Sequence, residues 1–222
     1  MICVLLGMEN ILVVGANGTT GKKIVAILNE SNNFHPIAMV RKEEQQAYFK
    51  AQNIETVLGD LEGDFSCVFN RPIDKVVFAA GSAGKNVLGV DQEGAKKLID
   101  ASKKANIKKF VMLSSMGADK PEEATQLQEY LKAKHNADEY LKTSGLDFSI
   151  VRPGSLTNEA ALNTIELEGK LNKRGEISRD DVAQTLVKTL DNTVASNATF
   201  EIIKGETLIG KALEKVSEII KS

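Results

Sequence analysis

Three residues in the middle of the chain have the types and the spacing needed to move a proton. Tyr130 and Lys134 stand four residues apart in a segment with helical periodicity, which places both side chains on one helix face. Ser115 follows an apolar run with the length of a strand. A free phenol has a pKa of roughly 10, so Tyr130 needs help to transfer a proton near neutral pH. Alternatively, Tyr130 packs in the core and Lys134 is solvated.

A glycine-rich turn near the N-terminus predicts where a nucleotide would bind. Ile11–Val14 reads as a buried parallel strand, and Gly15, Gly18 and Gly21 follow it before an amphipathic helix begins. Gly15 would permit a tight turn, Gly18 the approach of a pyrophosphate, and Gly21 close packing of the helix on the strand. The N-terminus of that helix would bind the phosphates. The spacing is GxxGxxG rather than GxGxxG, and such a turn can also be purely structural.

The end of the second predicted strand carries residues that bear on the choice between NADP and NAD. Phe34–Val40 reads as this strand, and Arg41 and Lys42 follow it, about 20 residues after the last glycine. An acid at this position binds the ribose 2′-hydroxyl of NAD, whereas an arginine accommodates the 2′-phosphate of NADP through charge-assisted hydrogen bonds. We therefore expect NADP(H) to be preferred and NAD(H) to be possible. The alternative is a solvated arginine at a strand end.

Polar and small residues end the next two predicted strands. Asp60 and Leu61 follow the third strand, and the Asp60 carboxylate could accept a hydrogen bond from an adenine amino group or cap a helix. The fourth strand ends at Ala79 and is followed by Ala80 and Gly81. Small residues at this point would let the riboses of a dinucleotide lie against the backbone.

Alternating strands and helices predict an α/β fold, a Rossmann-like doubly wound parallel sheet flanked by helices, with a small C-terminal substrate-side portion. We expect one domain over residues 1–222, with residues 8–153 as a cofactor-binding core and residues 154–222 as smaller substrate-side and closing elements. A helix is predicted to follow Val90 and Asp91 and to end at about Ala105. Another is predicted for Glu122–Thr143, and an irregular segment for Ser155–Glu176.

The composition limits the possible partners. The chain has 222 residues, 42% of them apolar and 26% charged, and its net charge of −2 gives no general attraction to nucleic acid or to anionic membranes. No apolar run approaches the roughly 20 residues of a membrane helix. The two cysteines and two histidines have no metal-site or disulfide spacing, which favours the cytoplasm. We expect a small-molecule substrate, a monomer or small homo-oligomer, and a loose extension at residues 1–7.

Several motifs together resemble the atypical and extended short-chain dehydrogenase/reductase superfamily. They are VGANGTTG, FVMLSSMGA, YLKAKHNADEYLKTSGLDFSIVRPG and ISRDDVA. The resemblance spans Glu9 to Ile219 and is strongest to small members, namely flavin and biliverdin-IXβ reductases and NmrA-like proteins. It implies that the glycine motif binds the cofactor, which adds Asn17, Thr19 and Thr20 to the cofactor-binding residues.

The same resemblance assigns roles to the candidate site. It implies that Tyr130 exchanges a proton with the substrate oxygen and that Lys134 binds the nicotinamide ribose and lowers the pKa of Tyr130. Ser115 would hydrogen-bond the substrate carbonyl, although members with a well-defined triad often have this serine one position later, at Met116 here. Pro153 would contact the nicotinamide carboxamide, and Asp60 and Leu61 the adenine.

The resemblance leaves three functions open. The first is an NADP(H)-dependent oxidoreductase that transfers hydride to a small carbonyl, quinone or flavin-like acceptor. The second is a non-catalytic NADP(H)-binding redox sensor, because some relatives lack the tyrosine. The third is a nucleotide-sugar epimerase or dehydratase. The short C-terminal portion and the few charges on the substrate side disfavour the third function.

Overall fold

Strands and helices alternate along most of the chain in the computed structural model, which describes residues 7–82 and 84–219. The strands are β1 (Glu9–Val14), β2 (Phe34–Val40), β3 (Glu55–Leu58), β4 (Lys75–Phe78), β5 (Lys109–Leu113), β6 (Phe148–Pro153), β7 (Ser155–Thr157), β8 (Thr164–Glu168), β9 (Glu176–Ser178), β10 (Ala198–Lys204) and β11 (Thr207–Leu208). The helices are α1 (Thr19–Asn29), α2 (Glu43–Lys50), α3 (Ala95–Lys104), α4 (Gln128–Thr143), α5 (Arg179–Lys188) and α6 (Ile209–Ile219). Apart from Gly7, the extension expected at residues 1–7 lies outside the described residues.

One nine-stranded sheet forms the centre of the fold, in the order β11-β8-β10-β6-β5-β4-β1-β2-β3. The strands from β10 to β3 in this order run parallel, and the strand order reverses between β1 and β4. The predicted Rossmann-like arrangement is therefore confirmed, and ligands bind such sheets where the order reverses. The sheet is not parallel throughout, however, because β8 pairs antiparallel with both β10 and β11 at one edge.

Strand β1 shows why helices cover both faces of this sheet. Ile11 and Val13 pack on one face with residues of α1, α5 and α6, and Leu12 and Val14 pack on the other with residues of α3 and α4. All four side chains are buried. Successive side chains of a strand point to opposite faces, so a strand covered on both sides must be apolar at every position.

The helix predicted for Glu122–Thr143 begins later than expected. A 3₁₀ turn spans Pro121–Glu123, and α4 begins only at Gln128. The two are separated at Leu127, whose φ of 57° lies in the left-handed region and cannot continue a right-handed helix. Tyr130 therefore lies in the first turn of α4 rather than in the middle of a long helix.

The helix predicted after Val90 also differs in kind and in length. Residues Val87–Gly94 form a π-helix that leads directly into α3. The Asn86 side chain caps its start by accepting a hydrogen bond from the Gly89 N–H at 3.0 Å. Asp91 lies inside this π-helical segment, a kind of structure that is rare and frequently found at functional sites.

The prediction of an irregular segment at Ser155–Glu176 is wrong. This segment contains β7 and β8, and β9 begins at its last residue. β8 joins the main sheet, whereas β7 and β9 pair with each other. The sequence Thr164–Glu168 alternates polar and apolar residues, and Ile165 is fully buried. This period of two is the ordinary signal of a strand.

Polar contacts join the C-terminal elements to the rest of the fold. Ser178 caps α5, its hydroxyl accepting from the Asp181 N–H at 3.0 Å. The buried Asp181 carboxylate accepts from the Leu162 and Asn163 N–H groups. Lys23 of α1 bonds the Asp180 carboxylate of α5 at 2.8 Å. Among the described helices, none is long and apolar enough to cross a membrane.

Candidate cofactor and substrate site

The turn between β1 and α1 has the geometry predicted for its glycines. Gly15 has a φ of +83°, and a Cβ there would lie 2.5 Å from the backbone nitrogen of Ala80. A Cβ on Gly21 would overlap the carbonyl of Gly15, so the helix packs directly on the turn. At Gly18, the N-cap residue of α1, a Cβ would meet only the Gly15 oxygen, at 3.2 Å. The turn therefore leaves open the side on which a pyrophosphate would approach the N-terminus of α1.

A cavity of about 250 Å³ lies at the carboxyl ends of the strands around β1. Many of the predicted cofactor-binding residues meet in its walls: Gly15, Asn17, Gly18, Arg41, Asp60, Leu61, Ala80 and Gly81. The walls also include residues that the sequence did not single out: Val14, Met39, Val40, Gln45, Gly59 and Val90. The cavity thus lies where the strand order reverses, the position at which this class of sheet binds dinucleotides.

Four further predicted cofactor-binding residues lie around this cavity rather than in its lining. Thr19 is the exposed first residue of α1, whereas Thr20 and Gly21 are buried in its first turn. Lys42 is exposed as the N-cap residue of α2, with its Nζ 3.5 Å from the Glu44 carboxylate. Thr19 and Lys42 can therefore reach a ligand from the rim, whereas Thr20 and Gly21 shape the turn from behind.

Two other predicted residues hold strand ends in place. The Ala79 N–H donates to the Val14 carbonyl at 2.9 Å, which keeps the end of β4 beside β1. Pro153 is the last residue of β6, and its carbonyl accepts from the Met116 N–H at 3.0 Å. Pro153 is buried. Both residues lie at the carboxyl edge of the sheet but outside the lining of the cavity.

Gln45 holds the turn that presents Arg41. Its Oε1 accepts hydrogen bonds from the N–H groups of Arg41 at 3.0 Å and of Lys42 at 3.2 Å. The Arg41 side chain is 56% exposed and therefore free to reorient toward an anion. Gln45 supplies the N3 half of a capping box. The N-cap residue is Lys42 rather than a serine or threonine, so the sequence carries no full capping-box signal.

The structure brings Tyr130 and Lys134 together and buries the lysine. The Lys134 side chain is only 3% exposed, and its Nζ lies 3.3 Å from the Leu113 carbonyl at the end of β5. The Nζ also lies 5.6 Å from the centroid of the Tyr130 ring and 3.5 Å from Asp91 Oδ1. The solvated alternative for Lys134 is therefore wrong. A buried ammonium therefore lies beside a half-buried phenol.

Asp91 is the residue of this cluster that the sequence did not identify. It is fully buried in the π-helix, and its Oδ2 accepts from the Ser82 N–H at 3.0 Å. Among the described residues, Oδ1 has no hydrogen-bond donor, although Lys134 faces it. Burying one of these charges alone would be costly, so each stabilises the other. The sequence gives no local sign of this pair, because its members are far apart in the chain.

The two serines at the end of β5 point to different surroundings. The Ser114 hydroxyl donates to the buried carboxylate of Asp138 at 2.8 Å. The half-buried Ser115 hydroxyl donates to the Met116 carbonyl at 3.2 Å. The Ser114 hydroxyl is therefore held in the protein interior. The Ser115 hydroxyl can rotate toward a substrate after breaking only one long hydrogen bond.

A buried ion pair between Arg152 and Asp138 lies next to this site. Arg152, near the end of β6, donates to Asp138 Oδ2 through Nε at 3.0 Å and Nη2 at 2.9 Å. Burial raises the pKa of the Asp138 carboxyl, and the neighbouring Arg152 guanidinium opposes that rise. Asp138 lies one helical turn after Lys134, so the pair fixes α4 against the carboxyl end of β6.

A second cavity, of about 460 Å³, opens on the opposite face of α4 from Tyr130 and Lys134. Its walls are formed by Pro121, Glu122, Gln128, Glu129, Lys132, His135 and Asn136. Since the two cavities share no lining residue, we do not include this one in the candidate site.

The family model described as NAD(P)H-binding matches residues 15–193. The chain belongs to this NAD(P)H-binding family. It is 39% identical to the uncharacterised sugar epimerase YhfK of Bacillus subtilis over 213 residues, covering 93% of this chain and 99% of that protein. The glycine turn and every lining residue of the cavity except Val14 therefore lie within the matched family region.

Solved structures of similar proteins have the same fold. A protein of Bacillus halodurans, provisionally named an NAD-dependent epimerase/dehydratase, has a TM-score of 0.87 and 36% identity over 93% of this chain and 99% of its own. The oxidoreductase ylbE of Lactococcus lactis has a TM-score of 0.84 and 30% identity over 95% and 97%. This chain is thus an NAD(P)H-binding Rossmann-like protein whose relatives carry the names of both epimerases and oxidoreductases.

Proposed function

We propose that this protein is an NADP(H)-dependent reductase that transfers hydride to a small carbonyl, quinone or flavin-like acceptor. The observation that carries the proposal is the buried Lys134, which lies between Asp91, the Leu113 carbonyl and the Tyr130 ring. This cluster lies at the carboxyl ends of the strands, next to the open cavity.

The residues around the open cavity fit a dinucleotide. The turn at Gly15 and Gly18 has no Cβ on its open side, and the first N–H groups of α1 can bind phosphate there. Arg41 can bind the 2′-phosphate of NADP with a planar pair of hydrogen bonds, and Lys42 adds a second positive charge at the rim. Both cations favour NADP(H) over NAD(H).

The proposed chemistry needs one hydride and one proton for each carbonyl reduced. NADPH, when bound, supplies the hydride from its nicotinamide ring and leaves as NADP⁺. Tyr130 would donate its phenolic proton to the substrate oxygen, and Ser115 would hold that oxygen by a hydrogen bond. The Lys134 ammonium would stabilise the phenolate that remains and hydrogen-bond the ribose, while Asp91 keeps Lys134 in place. Solvent then restores the proton to Tyr130.

The names of the relatives support a second candidate, a nucleotide-sugar epimerase or dehydratase. Such an enzyme regenerates its dinucleotide in every turnover. The two candidates therefore differ in the number of NADPH molecules consumed for each substrate molecule converted. A redox sensor that binds NADPH without turning it over is the third.

The three functions are separated by one set of assays. The purified protein is mixed with NADPH and a panel of carbonyls, quinones and flavins, and the loss of nicotinamide absorbance is followed. We expect steady oxidation with at least one acceptor. Conversion of a nucleotide sugar without net NADPH loss would favour the epimerase, and tight NADPH binding without any turnover would favour the sensor.

A further inference from the structure

A carboxylate stands beside the arginine that would recognise the 2′-phosphate. Glu62 Oε2 lies 3.7 Å from Arg41 Nη1. Both side chains are substantially exposed, 56% for Arg41 and 40% for Glu62, so water can replace either partner at small cost. The Arg41 guanidinium thus has an anionic partner within reach before any phosphate arrives.

Other contacts fix the position of this carboxylate. Glu62 Oε1 accepts a hydrogen bond from Asn86 Nδ2 at 2.5 Å, and the Glu62 N–H donates to Asp60 Oδ1 at 3.1 Å. Asn86 follows β4 and Glu62 follows β3, whereas Arg41 follows β2. The carboxylate therefore bridges loops from three strand ends, and Oε2 is the oxygen that faces Arg41.

We infer that Glu62 is a specificity-determining residue, which lowers the preference for NADPH by competing with the 2′-phosphate for Arg41. This inference rests on the proposed use of NADP(H) at this cavity. A phosphate that binds Arg41 must displace Glu62 and stay close to its negative charge, and like charges repel. NADH carries a neutral hydroxyl at the same position, which can donate a hydrogen bond to a carboxylate. Glu62 thus opposes Arg41 and Lys42 in setting the cofactor preference.

Substitution of Glu62 by glutamine isolates this effect, because it removes the charge and keeps an oxygen that can accept from Asn86. We expect Glu62→Gln to tighten NADPH binding about three- to tenfold and to leave NADH binding unchanged or weaker. The gain should shrink at high salt, because the pair is exposed to solvent. Glu214→Gln makes the same change in net charge on α6, which packs at the opposite edge of the sheet, and should change neither affinity.

The experiment is a calorimetric titration of both cofactors into the unmodified protein and the two variants, with circular dichroism to confirm folding. A rise in the NADPH-to-NADH affinity ratio that is confined to Glu62→Gln supports the inference. An unchanged or lower ratio in Glu62→Gln, with NADPH still bound by the unmodified protein, overturns the inference and leaves the proposed function intact. If the unmodified protein binds neither cofactor, the proposed function fails and the inference fails with it.

Discussion

Arg41 is the residue whose side chain most directly tests cofactor recognition. It lines the cavity and is more than half exposed, so its removal should not disturb the core. We predict that Arg41→Ala weakens NADPH binding by about 1–3 kcal/mol, the scale of hydrogen bonds to charged groups, and leaves NADH binding nearly unchanged. Calorimetry with both cofactors measures the difference.

The control for Arg41 is Lys50→Ala, which removes an exposed positive charge from the end of α2. It should leave both affinities unchanged. An NADPH affinity that Arg41→Ala leaves unchanged would contradict the assignment of Arg41 to the 2′-phosphate.

Substitution of Tyr130 tests the proposed proton transfer. Tyr130→Phe keeps the ring that lies near Lys134 and removes the proposed acid. General acid catalysis is typically worth about 10²–10⁴-fold, so turnover should fall by that order while NADPH affinity stays the same. Lys134→Met should weaken both turnover and NADPH binding, because it removes the proposed ribose contact as well. Steady-state rates and titrations on the two variants separate these effects.

Unchanged turnover in Tyr130→Phe on an authentic substrate would remove Tyr130 from the mechanism. The proton would then come from water, as it can with a flavin or quinone acceptor. Because Lys134→Met leaves the buried Asp91 carboxylate without its ammonium, its melting temperature must be measured beside its activity.

At the scale of elements, a buried lysine joins the first strand to the middle of the sheet. Lys75, at the start of β4, is 3% exposed and bonds the Glu9 carboxylate of β1 at 2.5 Å. Lys108, next to β5, bonds the other Glu9 oxygen at 3.0 Å. Burial acts to raise the pKa of Glu9, but hydrogen bonds and charge from Lys75 and Lys108 lower it overall.

We predict that Glu9→Gln lowers the free energy of unfolding by about 2–4 kcal/mol at pH 7, since it leaves a buried ammonium unpaired. The pKa of Glu9 is lower in the folded state, so its contribution is present above its unfolded pKa and is lost as pH falls through the folded value. Urea denaturation at several pH values should therefore show the two proteins converging below about pH 4. A stability difference that does not depend on pH would contradict this account.

The glycine turn and the parallel strands could be predicted because their signals are local. Gly15 and Gly21 lie within one short stretch, and the strands around them are continuous apolar runs. The start of α4 could not be predicted, because helical periodicity continues through Leu127 while the backbone there is left-handed. The alternating residues of β8 predict a strand, but its pairing with β10 and β11 depends on tertiary structure that no local pattern shows.

The candidate site was predictable only in part, for the same physical reason. Tyr130 and Lys134 share one helix, so their spacing alone brings them together. Asp91 lies next to Lys134 only because the π-helix packs against α4, and no local sequence pattern predicts that π-helix. Likewise Glu62 reaches Arg41 from a different strand end, and no short motif joins them.

At the scale of the whole molecule, the parts of the proposed mechanism meet at the carboxyl ends of the parallel strands. The glycine turn follows β1, Arg41 follows β2, and Ser115 follows β5, while Lys134 contacts the last carbonyl of β5. Parallel strands bring these ends together because all of them point the same way. The family match and the relatives agree with NAD(P)H binding on this fold.

The most direct test of the proposed reductase follows the hydride itself. NADPH deuterated at the nicotinamide C4, on either face in separate samples, is mixed with the protein and an acceptor that supports its oxidation. The NADP⁺ formed is analysed by mass spectrometry, because hydrogen transferred to a quinone oxygen or a flavin nitrogen exchanges with water. We predict that the NADP⁺ loses its deuterium when one of the two faces is labelled and retains it when the other is. Loss of deuterium from both faces in similar proportion, or no oxidation with any acceptor despite NADPH binding, would contradict the proposal.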